Sequence, residues 1–227
     1  MSFARPSSNL GRLTAFARAL HADCSGLALI EFAYALPFLT TLGLYGGEIA
    51  NYATVKTRIN QTALQLADNA SRIGENGVIK DIKIYESDIN DILTGASYSA
   101  ADLNLATRGR IIISSLTQNT SGGQWIQWQR CGGSLNYVSS YGKQDDGKTG
   151  TGFAGMGATG KEIKSAANTA VIFVEIAYTY QPLFTNKWLP GPAQITAVGA
   201  FNVRDDRDLT QVYQQNGVAP SKCPWNP

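Results

Sequence analysis

The sequence predicts an α+β protein, in which a long N-terminal membrane-spanning helix packs on an antiparallel sheet of about four strands. Three observations predict it. The run from Leu27 to Gly47 carries a single charge, Glu31. Apolar residues then recur at three- and four-residue spacing as far as Ile73. Further on, four segments alternate with period two and are rich in β-branched and aromatic residues.

The apolar run holds 21 residues. At about 1.5 Å per residue it reaches about 31 Å, close to the hydrocarbon thickness of a bilayer. A secretory signal peptide fits poorly, because about 25 residues precede the run, it outlasts an ordinary signal core, and no A-x-A-like site closes it. A lipoprotein signal ending at Cys24 fails as well, since the apolar segment follows that cysteine. Arg5, Arg12 and Arg18 stand before the run against Asp23, while Lys56 and Arg58 lie beyond it. The modest positive bias orients the N-terminus towards the cytoplasm.

Beyond the run, Tyr52, Val55, Ile59, Ala63, Leu66, Ala70 and Ile73 form one apolar stripe, with Gly74 and Gly77 as stop signals. Residues 79–93 read as mixed helix, with Ile79, Ile82, Tyr85, Ile89, Ile92 and Leu93 at helical spacing, and 97–109 as a loop or short helix. The strands are 111–116, 124–130, 170–180 and 194–204. Their alternation predicts one covered face, with the long helix as the cover. Residues 132–160 are rich in glycine, serine and polar side chains, which predicts an exposed loop. The organisation is therefore 1–26 on the cytoplasmic side; 27–47, the span; 48–73, its amphipathic continuation; and 74–227, one extracytoplasmic α+β domain.

The residues Gly26-Leu27-Ala28-Leu29-Ile30-Glu31-Phe32, with Leu36-Pro37 after them and a basic stretch before, resemble the leader and first helix of type IV pilin-like proteins. More closely they resemble the TadE (TadE/TadG) family of small components of tight-adherence, or Tad, type IVc pili. The resemblance covers residues 20–50 well and the rest loosely. It implies a pilin-like subunit cut between Gly26 and Leu27 by a prepilin peptidase, which acts as the substrate of an enzyme and not as an enzyme. Its implied partners are other Tad pilus subunits and the inner-membrane assembly platform, with the domain periplasmic or displayed in a pilus. It further implies that Glu31 pairs with the new Leu27 amine of a neighbouring subunit, and physics agrees that an acid in lipid needs a cation or neutralises. Pro37 is expected to kink the helix. Leu27 stands where type IV pilins commonly carry phenylalanine. The rival reading is an uncleaved, membrane-anchored scaffold or binding domain.

Cys24 would leave with the leader, and Cys131 and Cys223 would remain as an even pair suited to an oxidising compartment. The sole histidine, His21, lies in the leader, so histidine-based catalytic triads and the usual histidine-containing zinc sites are excluded from the mature chain. No cofactor, metal or catalytic constellation emerges. Without residues 1–25 the chain has 16 basic and 16 acidic side chains, so charge gives no support for nucleic-acid binding. Gly142 to Thr149 matches the P-loop pattern, but neither a buried strand before it nor a helix start after it is evident. Asp205, Asp206 and Asp208 interleave with Arg204 and Arg207, a pattern of local salt bridges more than of a calcium site. Trp125, Trp128, Tyr137 and Tyr141 read as sheet packing, with ligand binding as the lesser alternative.

Overall fold

A computed structural model describes residues 9–23, 25–73, 82–184, 194–204 and 207–224. The chain divides into two compact units, Met1–Ala50 and Asn51–Pro227. The first unit holds helix α1, Asn9–Ala22, and the first part of helix α2, Ser25–Ser71. The expected stops Gly74 and Gly77 lie outside the described residues, as do Cys24, Ile79, Asp205 and Asp206.

In the second unit a four-stranded antiparallel sheet is ordered β2-β1-β3-β4, with β1 Gly109–Gln118, β2 Gln124–Gly132, β3 Val171–Thr179 and β4 Gln194–Asn202. All four predicted strands are present, each within two residues of its expected start. The α+β reading holds. One face carries Ile111, Ile113, Ile172, Val174, Ile176 and Ile195. Against it pack Ile59, Ala63, Leu66 and Ala70 of α2, which are the stripe that the helical spacing predicted. The approach is close at Gly199 of β4, where a Cβ would stand 2.5 Å from the Ala63 carbonyl oxygen. Only glycine lets the α2 backbone settle there. Tyr52 meets Tyr180 edge-on at 5.2 Å, and Asn51 Nδ2 donates to the Tyr180 hydroxyl at 2.8 Å.

Two expectations are corrected. Helix α3 spans Glu86–Ser99, and residues 82–85 before it are not helical. Ile82 and Tyr85 instead form parallel bridges with Arg207 and Tyr213. The α3 start is set by Asp88, whose carboxylate accepts from the Tyr85 N–H at 2.9 Å, and by the Glu86 N–H, which donates to the Tyr213 carbonyl at 3.0 Å. A 3₁₀ turn at Ala101–Leu103 and the short α4, Leu105–Arg108, lead into β1.

The second correction concerns 132–160, a loop with many exposed residues that also covers part of the sheet's other face. Tyr141, Phe153 and Met156, with Ile163 beyond them, pack on Leu116, Ile126, Val171 and Phe173. The physical cause lies in β1 and β3. Ile111-Ile112-Ile113 and Val171 to Val174 are apolar on both faces, and a strand buried on both sides reads as a continuous apolar run. Polar staples fix this cover. Asn119 Nδ2 donates to the Gly147 and Gly150 carbonyls at 2.8 and 2.7 Å. Gln124 and the Ser165 backbone exchange two bonds, at 2.7 and 3.0 Å.

Candidate membrane anchor and processing site

A 21-residue apolar run can fold only as a helix if it is to satisfy its own backbone in lipid. That is its state in α2, which passes through Gly26, Leu27, Glu31 and Pro37 without interruption. From Gly26 onward this helix is long and apolar enough to cross a membrane, and none of its most apolar window is buried within the chain. Leu29 and Phe38 are 73% and 76% exposed. Stripes of this size facing water are far beyond what a soluble surface carries, so the helix is consistent with a single-pass membrane anchor.

Within that helix, Leu27 and Glu31 stand four residues apart, one turn along the same face. Glu31 is exposed, and the space around Gly26 is open for 4 Å from where a Cβ would sit. Pro37 removes the N–H that would bond the Ala33 carbonyl. Just after it the Thr40 hydroxyl donates to the Leu36 carbonyl at 2.8 Å and the Thr41 hydroxyl to the Pro37 carbonyl at 2.7 Å, so these polar groups are satisfied without water.

In the second unit the sulfur atoms of Cys131 and Cys223 are joined as a disulfide, with Cα atoms 4.9 Å apart. The bond lies on the outer edge of β2, where the Cys131 N–H also donates to the Ser221 carbonyl at 2.8 Å. Next to it Arg130 forms a buried, two-pronged ion pair with Glu86 of α3, with Nε to Oε2 at 2.9 Å and Nη2 on Oε1. Residues 44 apart in sequence make this pair, and neither alone signals the other.

Glu175 is a further group that sequence reasoning passed over. It is the only charge between Ala170 and Tyr180 and is 1% exposed. That isolation in an apolar strand was the available signal. Its carboxylate accepts from the Tyr137 hydroxyl at 2.5 Å, the Ser139 hydroxyl at 2.7 Å, and the Ser140 N–H at 3.2 and 3.3 Å. Burial, together with donation to Glu175, pushes the Tyr137 phenol up to about 12. Burial also lowers Arg110, whose Nε donates to the Leu135 carbonyl at 2.8 Å. The arrangement turns the donors of 137–140 to the Glu175 carboxylate. It fastens a loop.

The remaining candidates resolve as follows. Gly142 to Thr149 is a set of turns followed by no helix. Its Asp145 N–H donates to the Ile126 carbonyl at 2.8 Å and its Asp146 carbonyl accepts from the Ile126 N–H at 3.0 Å, so the segment lines the edge of β2. The four aromatics do not gather. Trp128 lies in the helix-side core, while Tyr141 meets Phe173 at 5.3 Å on the opposite face. Asp205 and Asp206 lie outside the described residues, so only Arg204, Arg207 and Asp208 of that cluster are seen. The Arg207 guanidinium turns to the Ala70 and Ser71 carbonyls at the end of α2. Asp208 accepts from the Thr210 N–H at 2.8 Å and hydroxyl at 2.5 Å and from the Tyr213 hydroxyl, bonds that hold its carboxyl below the usual range. Among the described residues no three His, Cys, Asp or Glu side chains are grouped to hold a metal ion.

Compared with known proteins, the chain matches no family model, no curated protein and no solved structure.

Proposed function

We propose that this chain is a TadE-like, pilin-like component of a Tad pilus or related secretion machine, held in the inner membrane by α2 and cut after Gly26 by a prepilin peptidase. One observation carries the proposal. A leader glycine, an apolar residue that would become the new N-terminus, and a single carboxylate one turn later lie together on an exposed apolar helix. A carboxylate there costs on the order of 2.5–3.5 kcal/mol on insertion scales, and the free amine at Leu27 of a neighbouring subunit offsets that cost. The disulfide suits an extracytoplasmic domain.

A specific observation favours the second reading, an uncleaved anchor for a scaffold domain. Helix α2 already begins at Ser25, so the Gly26–Leu27 bond is helical and a peptidase must unwind it. The mature N-terminus decides between the two. Intact mass and terminal sequencing of protein from the native host give a start at Leu27 under the first reading. Chains that retain Gly26 and the residues before it refute processing. Gly26→Ala is then expected to block the cut, and Glu31→Ala to leave the cut intact but stop incorporation into pili.

A further inference from the structure

Helix α1 contains Leu13, Phe16 and Leu20, which are 66%, 66% and 60% exposed. At about 100° per residue these three and Ala17 occupy one arc about 100° wide. Arg12 lies about 40° beyond one edge of the arc and Arg18 about 100° beyond the other, and the helix contains no acidic residue. A 14-residue helix with an uncovered apolar arc is marginal in water. A surface that takes both the arc and the arginines at once is an anionic membrane leaflet, with the apolar side chains among the acyl chains and the arginines at the phosphates. The start of α2 fixes the location, because it follows α1 after only Asp23 and residue 24 and is itself the candidate span.

We infer that α1 is an interfacial helix that binds anionic phospholipid headgroups on its own side of the membrane. In the pilin-like reading the segment removed at Gly26 is then a lipid-bound handle that holds the scissile bond at the interface. The inference rests on α2 crossing the membrane and not on cleavage.

The test uses the full chain with Cys24→Ala, reconstituted in phosphatidylcholine vesicles with and without phosphatidylglycerol. An environment-sensitive fluorophore is placed on Phe16→Cys or, separately, on Phe38→Cys. The Phe16 probe is expected to shift to the blue and lose quenching by aqueous iodide in anionic vesicles. Each of Arg12→Gln and Arg18→Gln should move that partition back on the order of fivefold. A Phe16 probe that stays aqueous while the Phe38 probe is shielded overturns the inference and leaves the anchor standing. A Phe38 probe open to iodide overturns both. An equal shift in both vesicle types, unchanged by the arginine substitutions, overturns the anionic-lipid assignment.

Discussion

The disulfide offers the sharpest test of the domain's energetics. Cys131 and Cys223 are 92 residues apart, so the bond closes a large loop in the unfolded chain. Loop-closure entropy for that length is about 15–16 cal/mol/K, or about 4.6 kcal/mol at 25 °C. Whole small domains are stable by only about 5–15 kcal/mol, so the bond supplies a large fraction. The folded state should barely change on its removal. The Cys131 N–H keeps its Ser221 partner, and the Asn90 side chain still takes the Ser221 hydroxyl at 2.6 Å and gives to the Ala219 carbonyl at 3.0 Å. The assay is urea denaturation of the full chain in mild detergent, comparing oxidised protein with Cys131→Ser/Cys223→Ser. A loss of about 3–5 kcal/mol, with near-native hydrogen exchange in residues 207–224, is the expected result. A loss below about 1 kcal/mol would sink the entropic argument. A large loss accompanied by exchange throughout the tail would show that the bond holds the folded tail in place.

Further expectations concern the two faces of the sheet. Glu175→Gln leaves Tyr137, Ser139 and Ser140 facing a weaker acceptor, and should destabilise the domain by about 2–3 kcal/mol and open 133–141 to proteolysis; unchanged cleavage would mean that the loop is held by its apolar contacts alone. The Tyr137 phenol is raised from 10 to about 12, so the folded state holds the proton more tightly than the unfolded chain. Its contribution is whole below pH 10 and fades as pH climbs towards 12, and Tyr137→Phe should flatten the fall seen by denaturation across that window. Gly199→Val forces a side chain into the Ala63 backbone, and a loss of about 1–3 kcal/mol is expected by thermal unfolding, against little effect of Gly152→Ala, where the space is open and φ is not positive.

How far the sequence could be read follows from the range of each interaction. The strands and α2 are legible because their signals are local and repeated, and Ile59, Ala63, Leu66 and Ala70 appear at helical spacing and pack as a stripe. The disulfide follows from parity once Cys24 is set aside. The second cover is harder. Phe153, Met156 and Ile163 are spread thinly among glycines, and their role shows only in the apolar runs of the strands beneath them. Ile82 and Tyr85 have helical spacing but pair with Arg207 and Tyr213 more than a hundred residues on, a partnership no local pattern encodes. The same holds for Glu86 with Arg130. Gly26 and Glu31 stand out through the resemblance to pilin-like leaders, whereas spacing alone conveys only the helix that holds them.

The segment 207–224 reaches back to the start of its unit. Arg207 closes the end of α2, Tyr213 receives the first turn of α3, and Cys223 is bonded to β2. During vectorial synthesis these partners emerge long before the residues that complete them. Until these residues are through, the last turn of α2 has open carbonyls and the Cys131 end of β2 lacks its Ser221 partner. Maturation of the unit is thus timed by the slowest arrival, not by the strength of its core. Whatever meets the emerging chain finds an unfinished sheet until the late segment docks.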